Sequence, residues 1–165
     1  MARAPRKRVA KRPAAKKARL PSSPPAALRR VDPAAVKPGA NYSHGIEVPP
    51  GARFLGIAGQ VGRDVDGYVP EGIEAQATLA WRNVGAVLAA AGMEMADIVH
   101  YFSILVRRED SAGYDAARVK ALGNARPAST KIFISGLAQP ELLCEVQVFA
   151  AKVETSKRRP ARRSR

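Results

Sequence analysis

The sequence predicts a single α+β domain, β-β-α-β-α-β-β in order, with two helices packed on one face of one sheet. Three observations lead there. Two segments repeat apolar residues every three or four positions, as amphipathic helices do. Five shorter segments are rich in β-branched and aromatic residues. The positive charge, finally, is confined to the two ends. Of 165 residues 46% are hydrophobic, enough for a packed core, yet the net charge is +14. Residues 1–40 carry twelve Lys or Arg and one acid, and residues 152–165 carry seven and one. Residues 41–151 hold nine basic and twelve acidic side chains, so the core is mildly acidic.

The elements follow in order. Residues 42–48 are short and mixed and run into Pro49-Pro50-Gly51, a turn signal. Residues 53–58 (RFLGIA) form an apolar strand candidate, and Asp66-Gly67 favours a tight turn. Ile73, Ala77, Trp81, Val84, Leu88 and Ala91 make one helical stripe, which Gly92 ends as a C′ glycine. Residues 98–106 are β-prone. Asp110 or Ser111 is suited to cap a second helix, with Ala112, Ala116, Val119 and Leu122 on its buried side and Gly123-Asn124 closing it. Two strands complete the domain, at 130–135 and 142–151.

The last strand is the most informative. Cys144, Val146 and Val148 alternate with Leu143, Glu145, Gln147 and Phe149. The first set belongs against the helices. The second leaves a half-apolar face with a carboxylate in it, the kind of surface that another subunit covers.

The ends read differently. Residues 1–40 are rich in Ala, Pro, Lys and Arg and cannot bury enough apolar area to offset the entropy of ordering, so disorder is expected there and over 153–165. The folded domain is placed at 41–152. Arg6, Lys7, Arg8, Lys11, Arg12, Lys16 and Lys17, with Arg158, Arg159, Arg162 and Arg163, suit sequence-indifferent contact with DNA or RNA phosphates. No aromatic residue interleaves with them, so base stacking is not expected. Solubilising ends without a specific partner are the alternative. No apolar run approaches 18 residues and no apolar segment follows Lys17, which argues against a membrane helix or a secretory signal. The sole cysteine, Cys144, has no intrachain partner and suits a reducing, cytoplasmic setting. Nothing in the spacing suggests a metal-ligand cluster.

The phrases NYSHGIEV, IAGQVGRDVDGYVPEGIEAQATLAWRNVGAVLAAAG, DIVHYFSILVRRED and RPASTKIFISGLAQPELLCEVQVFAA, in that order, resemble the RidA/YjgF family over about 110 residues. The resemblance implies a chorismate-mutase-like fold, a homotrimer around a central barrel, and ligand clefts between subunits. It further implies hydrolysis of reactive enamines and imines, without metal or organic cofactor. Glu145 falls at the family's water-activating glutamate, Tyr42 on its cleft tyrosine, and Gly59-Gln60 on its S-G-Q motif, with Ala58 in place of the serine. The P-A-R-S motif reads Pro127-Ala128-Ser129-Thr130, so Ser129 stands where the family has a carboxylate-anchoring arginine. Asp115 stands where an asparagine is common. The cleft is thus expected to be lined by Tyr42, Gly59, Gln60, Ser129 and Lys131 and to take an altered range of small imines. Lys131, on the same strand face as Ser129, and Arg126 are the replacement cations that the sequence offers. The alternative is a non-catalytic trimer that binds a small metabolite and is tethered to nucleic acid by its tails.

Plainer roles stand beside these. Glu145 can serve an ion pair across a subunit boundary, and Tyr42 an interface contact. His44 and His100 read as surface or interface histidines, and Cys144 as a packed thiol. Gly56, Gly59 and Gly62 lack the Lys-Ser/Thr and the following helix of a phosphate loop.

Overall fold

The computed structural model describes residues 27–153; the basic positions singled out at 6–17 and 158–163 lie outside the described residues. Six strands and two α-helices are formed. They are β1 (Arg29–Val31), β2 (Gly45–Glu47), β3 (Arg53–Val61), α1 (Ile73–Ala90), β4 (Ile98–Leu105), α2 (Ser111–Leu122), β5 (Ala128–Phe133) and β6 (Cys144–Lys152), with a short 3₁₀ turn at Met95–Asp97. The α+β class and the two helices agree with the sequence.

The main sheet has the order β3-β6-β4-β5. Strand β6, last in sequence, lies at its centre, antiparallel to both β3 and β4, while β4 and β5 run parallel through the α2 crossover. β2 does not join this sheet. It pairs antiparallel with β1, and Arg29 bonds Glu47 across the ribbon. The folded chain therefore starts ahead of Asn41, where the sequence puts the boundary. The Pro- and Ala-rich composition around it conceals a three-residue strand whose partner is supplied from beyond residue 44.

Apolar periodicity builds the core. Ala77, Ala80, Trp81, Val84 and Leu88 of α1 are buried against Ile57, Tyr101, Leu105, Cys144, Val146 and Val148 of the sheet. Trp81 meets Tyr101 edge to face, with centroids 5.3 Å apart. Each such large apolar side chain contributes about 1.5–3 kcal/mol by leaving water. At the end of α1, Gly92 takes a positive φ of 68° and the Gly92 and Met93 N–H groups donate to Ala89 and Leu88, a Schellman close.

Helix α2 departs from expectation. Its buried residues are Tyr114, Ala117 and Leu122; Val119 is 41% exposed, and Ala112 and Ala116 are exposed as well. The Tyr114 ring buries more apolar area than the small residues it displaces, and its hydroxyl donates to Ser103 Oγ at 2.8 Å. Asp110 occupies the N-cap position, but its buried carboxylate is held in a fork by Arg107, Nε at 2.8 Å and Nη2 at 3.0 Å, and caps nothing with its side chain. A charge-assisted bidentate pair outweighs a single cap bond.

Two buried contacts set how α1 sits on the sheet. Gln76 Nε2 donates to the Pro70 and Glu141 carbonyls at 3.1 and 2.9 Å, and its Oε1 accepts from Leu143 N at 2.8 Å. Asn83 Nδ2 donates to the Val61 and Arg63 carbonyls. Gly62 passes so close to the Gln76 backbone that a Cβ there would overlap it. Replacing Gln76 by Leu strands one buried N–H and two carbonyls, and urea denaturation should show a loss of about 2–4 kcal/mol.

A candidate site split between two faces of the sheet

Strand parity decides where the predicted residues go. Ser129 and Lys131 of β5 pair with Tyr101 and Ser103 of β4, which in turn pair with Val148 and Val146 of β6. Those residues all face the helices. Glu145 pairs with Ile104 and Val61 and lies on the other, open face. Within one chain the predicted residues form two groups.

The open-face group is Glu145 with Gly59. The Glu145 carboxylate lies directly over Gly59, where a Cβ would overlap it, so a side chain there and this carboxylate position exclude each other. Among the described residues, Glu145 makes no hydrogen bond or ion pair. It is half-buried and unneutralised. The same face carries Gln147 and an aromatic patch: Phe54, 62% exposed, stacks on Phe149 at 6.0 Å, and His100 lies against Phe102 at 4.7 Å. Burial lowers the pKa of His100, which favours the neutral ring. Gln60 turns its amide onto its own strand, donating to the Ala58 and Gly59 carbonyls at 3.2 and 3.4 Å, beside the β-bulge between Ile57 and Gln60.

The helix-side group surrounds a cavity of about 340 Å³ lined by Tyr42, Tyr101, Ser103, Asp115, Arg118, Ser129 and Lys131. Tyr42 arrives on the strap between β1 and β2. There His44 N donates to Asp32 Oδ1 at 2.7 Å, His44 Nε2 to the Lys37 carbonyl at 2.8 Å, and Ser43 N to the Pro127 carbonyl at 3.2 Å. Gly39 lets the Tyr42 ring lie against the strap backbone. Lys131 Nζ donates to Ser111 Oγ at 2.8 Å and to Asp115 Oδ2 at 2.7 Å, so its charge is already engaged. Arg118 Nε donates to Asp115 Oδ1 at 3.1 Å and its Nη1 to the Tyr101 hydroxyl at 3.1 Å. Burial works against the Arg118 charge, but Tyr101 and Asp115 outweigh it and its pKa is raised. Arg126, the other cation offered by the sequence, instead donates to the Gly123 and Ala125 carbonyls and lines a separate pocket of about 300 Å³.

Tyr101, Ser103 and Arg118 are lining residues that the sequence reading missed. The signal was Tyr114: turning that amphipathic ring inward brings Asp115 and Arg118 to the β5 edge. Cys144 is fully buried and its thiol is pushed up to about 12, first by desolvation and then by the nearby Asp110, so it is no nucleophile at neutral pH. Among the described residues no group of His, Cys, Asp or Glu could hold a metal ion, and no helix is long and apolar enough to cross a membrane. A larger, more open depression of about 840 Å³ at the start of α1, bounded by Asp64, Tyr68, Ile73 and Arg82 among others, contains none of the predicted residues.

Two glycine substitutions separate room for a carboxylate from room for a backbone. Gly59→Ala meets only the end of a flexible side chain and should change stability by less than about 1 kcal/mol while displacing Glu145. Gly62→Ala meets the Gln76 backbone and should cost about 1–3 kcal/mol. Urea midpoints of the two variants check this.

Comparison with known proteins identifies the family and the fold. The family model described as Endoribonuclease L-PSP matches residues 33–152. A RutC family protein of Saccharolobus solfataricus is 32% identical over 120 residues, which is 72% of this chain and 92% of that protein. The crystal structure of YyfB, a Rid family protein of unknown function from Yersinia pestis, superposes with a TM-score of 0.67 at 29% identity, covering 74% of this chain and 97% of that one. RidA from an Antarctic Psychrobacter gives 0.57 at 28%, covering 72% and 92%. A match over this span, with the same α+β fold, places the chain in the RidA/YjgF family, which the endoribonuclease L-PSP model describes.

Proposed function

We propose that the protein hydrolyses small enamines or imines in a cleft completed between subunits, with Glu145 as the group that activates water. The observation that carries this reading is the Glu145 carboxylate, half-buried over Gly59 and free of any counter-ion among the described residues. An unpaired carboxylate on this half-apolar face is available as a base. Water adds to the protonated imine carbon as its π electrons move to nitrogen. Glu145 takes a proton from the water and returns it to the nitrogen. The carbinolamine then expels ammonia while its hydroxyl gives its proton back to Glu145, leaving a carbonyl.

One protomer is insufficient for this. Glu145 and the Tyr42–Ser129–Lys131 cavity lie on opposite faces of the same sheet. A homotrimer brings the open face of one subunit, with its exposed Phe54–Phe149 stack, against the β5 edge of the next, so that two half-sites make one cleft. Burying that aromatic surface supplies the drive for assembly. The test is ammonia release from imines generated in situ by an amino-acid oxidase. Glu145→Gln should lower kcat by about 10²–10⁴-fold, the usual worth of a general base, and leave the trimer intact on sizing. Unchanged turnover in that variant would refute the assignment.

The charge segregation supports a second, compatible reading, in which the tails tether the assembly to nucleic acid. Residues 1–26 and 154–165 carry a net charge of +14 per chain, three copies multiply it, and such valence strengthens phosphate binding without new contacts. Deleting residues 1–26 and 154–165 should abolish DNA or RNA mobility shifts and their salt dependence. Retained, salt-insensitive binding by the remaining domain would contradict the reading. The same gels run on RNA would reveal strand cleavage, which the family's description raises.

A further inference from the structure

The helix-side cavity holds more positive charge than it neutralises. Arg118 and Lys131 share one carboxylate, Asp115, and the other lining side chains are hydroxyls: Tyr42, Tyr101, Ser103 and Ser129. Lys131 is committed twice, to Ser111 and to Asp115. Arg118 differs. A guanidinium carries five N–H donors in a planar fork. The two hydrogen bonds described for Arg118 use Nε and Nη1, and neither uses Nη2. Its side chain is only 12% exposed and is fixed from both ends, by Asp115 on its own helix and by Tyr101 on β4. A fork so oriented, beside hydroxyls in a cavity of about 340 Å³, fits a small monoanion with a planar carboxylate better than a bulky or multiply charged one.

We propose that Arg118 is the anion-recognising residue of this cavity, so that a helix supplies the guanidinium that Ser129 on β5 does not, and the cleft selects small carboxylates. The assignment rests on the reading of this cavity as half of the substrate cleft. It gives the altered range of small imines expected from Ser129 a definite class. Tyr101 links the two positions: it pairs with Ser129 through the backbone and with Arg118 through its hydroxyl. A cation reaching the cavity from either position therefore meets the same ligand group. Asp115 is the positioning residue. It holds Arg118 Nε and Lys131 Nζ together, and so sets the direction of the fork.

Equilibrium binding on the full chain tests this without requiring turnover. The probes are pyruvate, its neutral amide pyruvamide, and inorganic phosphate, measured by calorimetry. The wild type should bind pyruvate at least tenfold more tightly than either of the others. Arg118→Gln should weaken pyruvate about 10- to 100-fold, as losing a charge-assisted pair does, and leave pyruvamide unchanged. Adding Ser129→Arg to Arg118→Gln should restore pyruvate binding. The proposal is overturned if the wild type fails to bind pyruvate at millimolar concentration, if it prefers phosphate or binds pyruvamide equally, or if Arg118→Gln retains full affinity for pyruvate. Pyruvamide binding reports whether the variant is folded. Should Arg118→Gln unfold, Arg118→Lys decides instead: the proposal requires at least a fivefold loss for pyruvate alone, because an ammonium lacks the fork. Hydrolysis separates the two readings. Arg118-dependent binding without any ammonia release sinks the catalytic proposal alone, and imino-acid turnover indifferent to Arg118 sinks this one alone.

Discussion

The arrangement of this domain depends on one buried amide. Gln76, in the first turn of α1, bonds the loop after the Asp-Gly turn, the segment before β6, and the N–H that opens β6 itself. It thereby ties the first turn of α1 to the loop just before it and to the distant segment that leads into β6, and it fixes where Cys144 and Glu145 begin to alternate across the sheet. An apolar side chain of the same size would fill the space but leave three backbone groups unsatisfied in a low-dielectric interior. Gly62 completes the clamp, since only its lack of a side chain lets β3 approach the Gln76 backbone. The short spacing from Gly59 through Gly62 reflects two separate close approaches, one to a carboxylate and one to a helix.

Given that clamp, the strict period of a strand divides the chemistry. Neighbouring residues of β4 go to opposite faces: Tyr101 and Ser103 line the cavity under α2, and Phe102 and Ile104 share the open face with Glu145. Glu145 on β6 and the polar cavity along β4 and β5 thus belong to one sheet and lie on its opposite faces. Under the proposed function, this separation makes a second copy of the chain a part of the site rather than an accessory to it.

Where one side chain type dominated, the fold could be read from the sequence. The α1 stripe from Ala77 to Leu88, the Gly92 stop and the β6 alternation each rest on a repeated apolar pattern, and each is found in the structure. The buried side of α2 could not be read so, because alanines fit either face and one tyrosine with a hydroxyl partner on β4 decides the rotation. That choice also hid Arg118. β1 was concealed because three residues carry little local preference and gain stability only from β2. Of the candidate site, Tyr42, Glu145 and Ser129 could be named from the sequence as expectations. Their distribution over two faces was legible only in part, since it needs the parallel register of β4 and β5, which no local pattern encodes.

The central position of β6 has a consequence for how the molecule comes into being. Every other strand of the main sheet precedes it in sequence, yet β3 and β4 have no hydrogen-bonded neighbour in common until it inserts between them. On the ribosome, where chain emerges at about 5–20 residues per second, β3, α1 and the β4-α2-β5 unit therefore wait for a keystone. Until it arrives, the apolar faces of β3 and β4 stay open to the wrong partner. The same insertion delivers Glu145. A chain too incomplete to close its sheet is thus also a chain without the carboxylate of its candidate site.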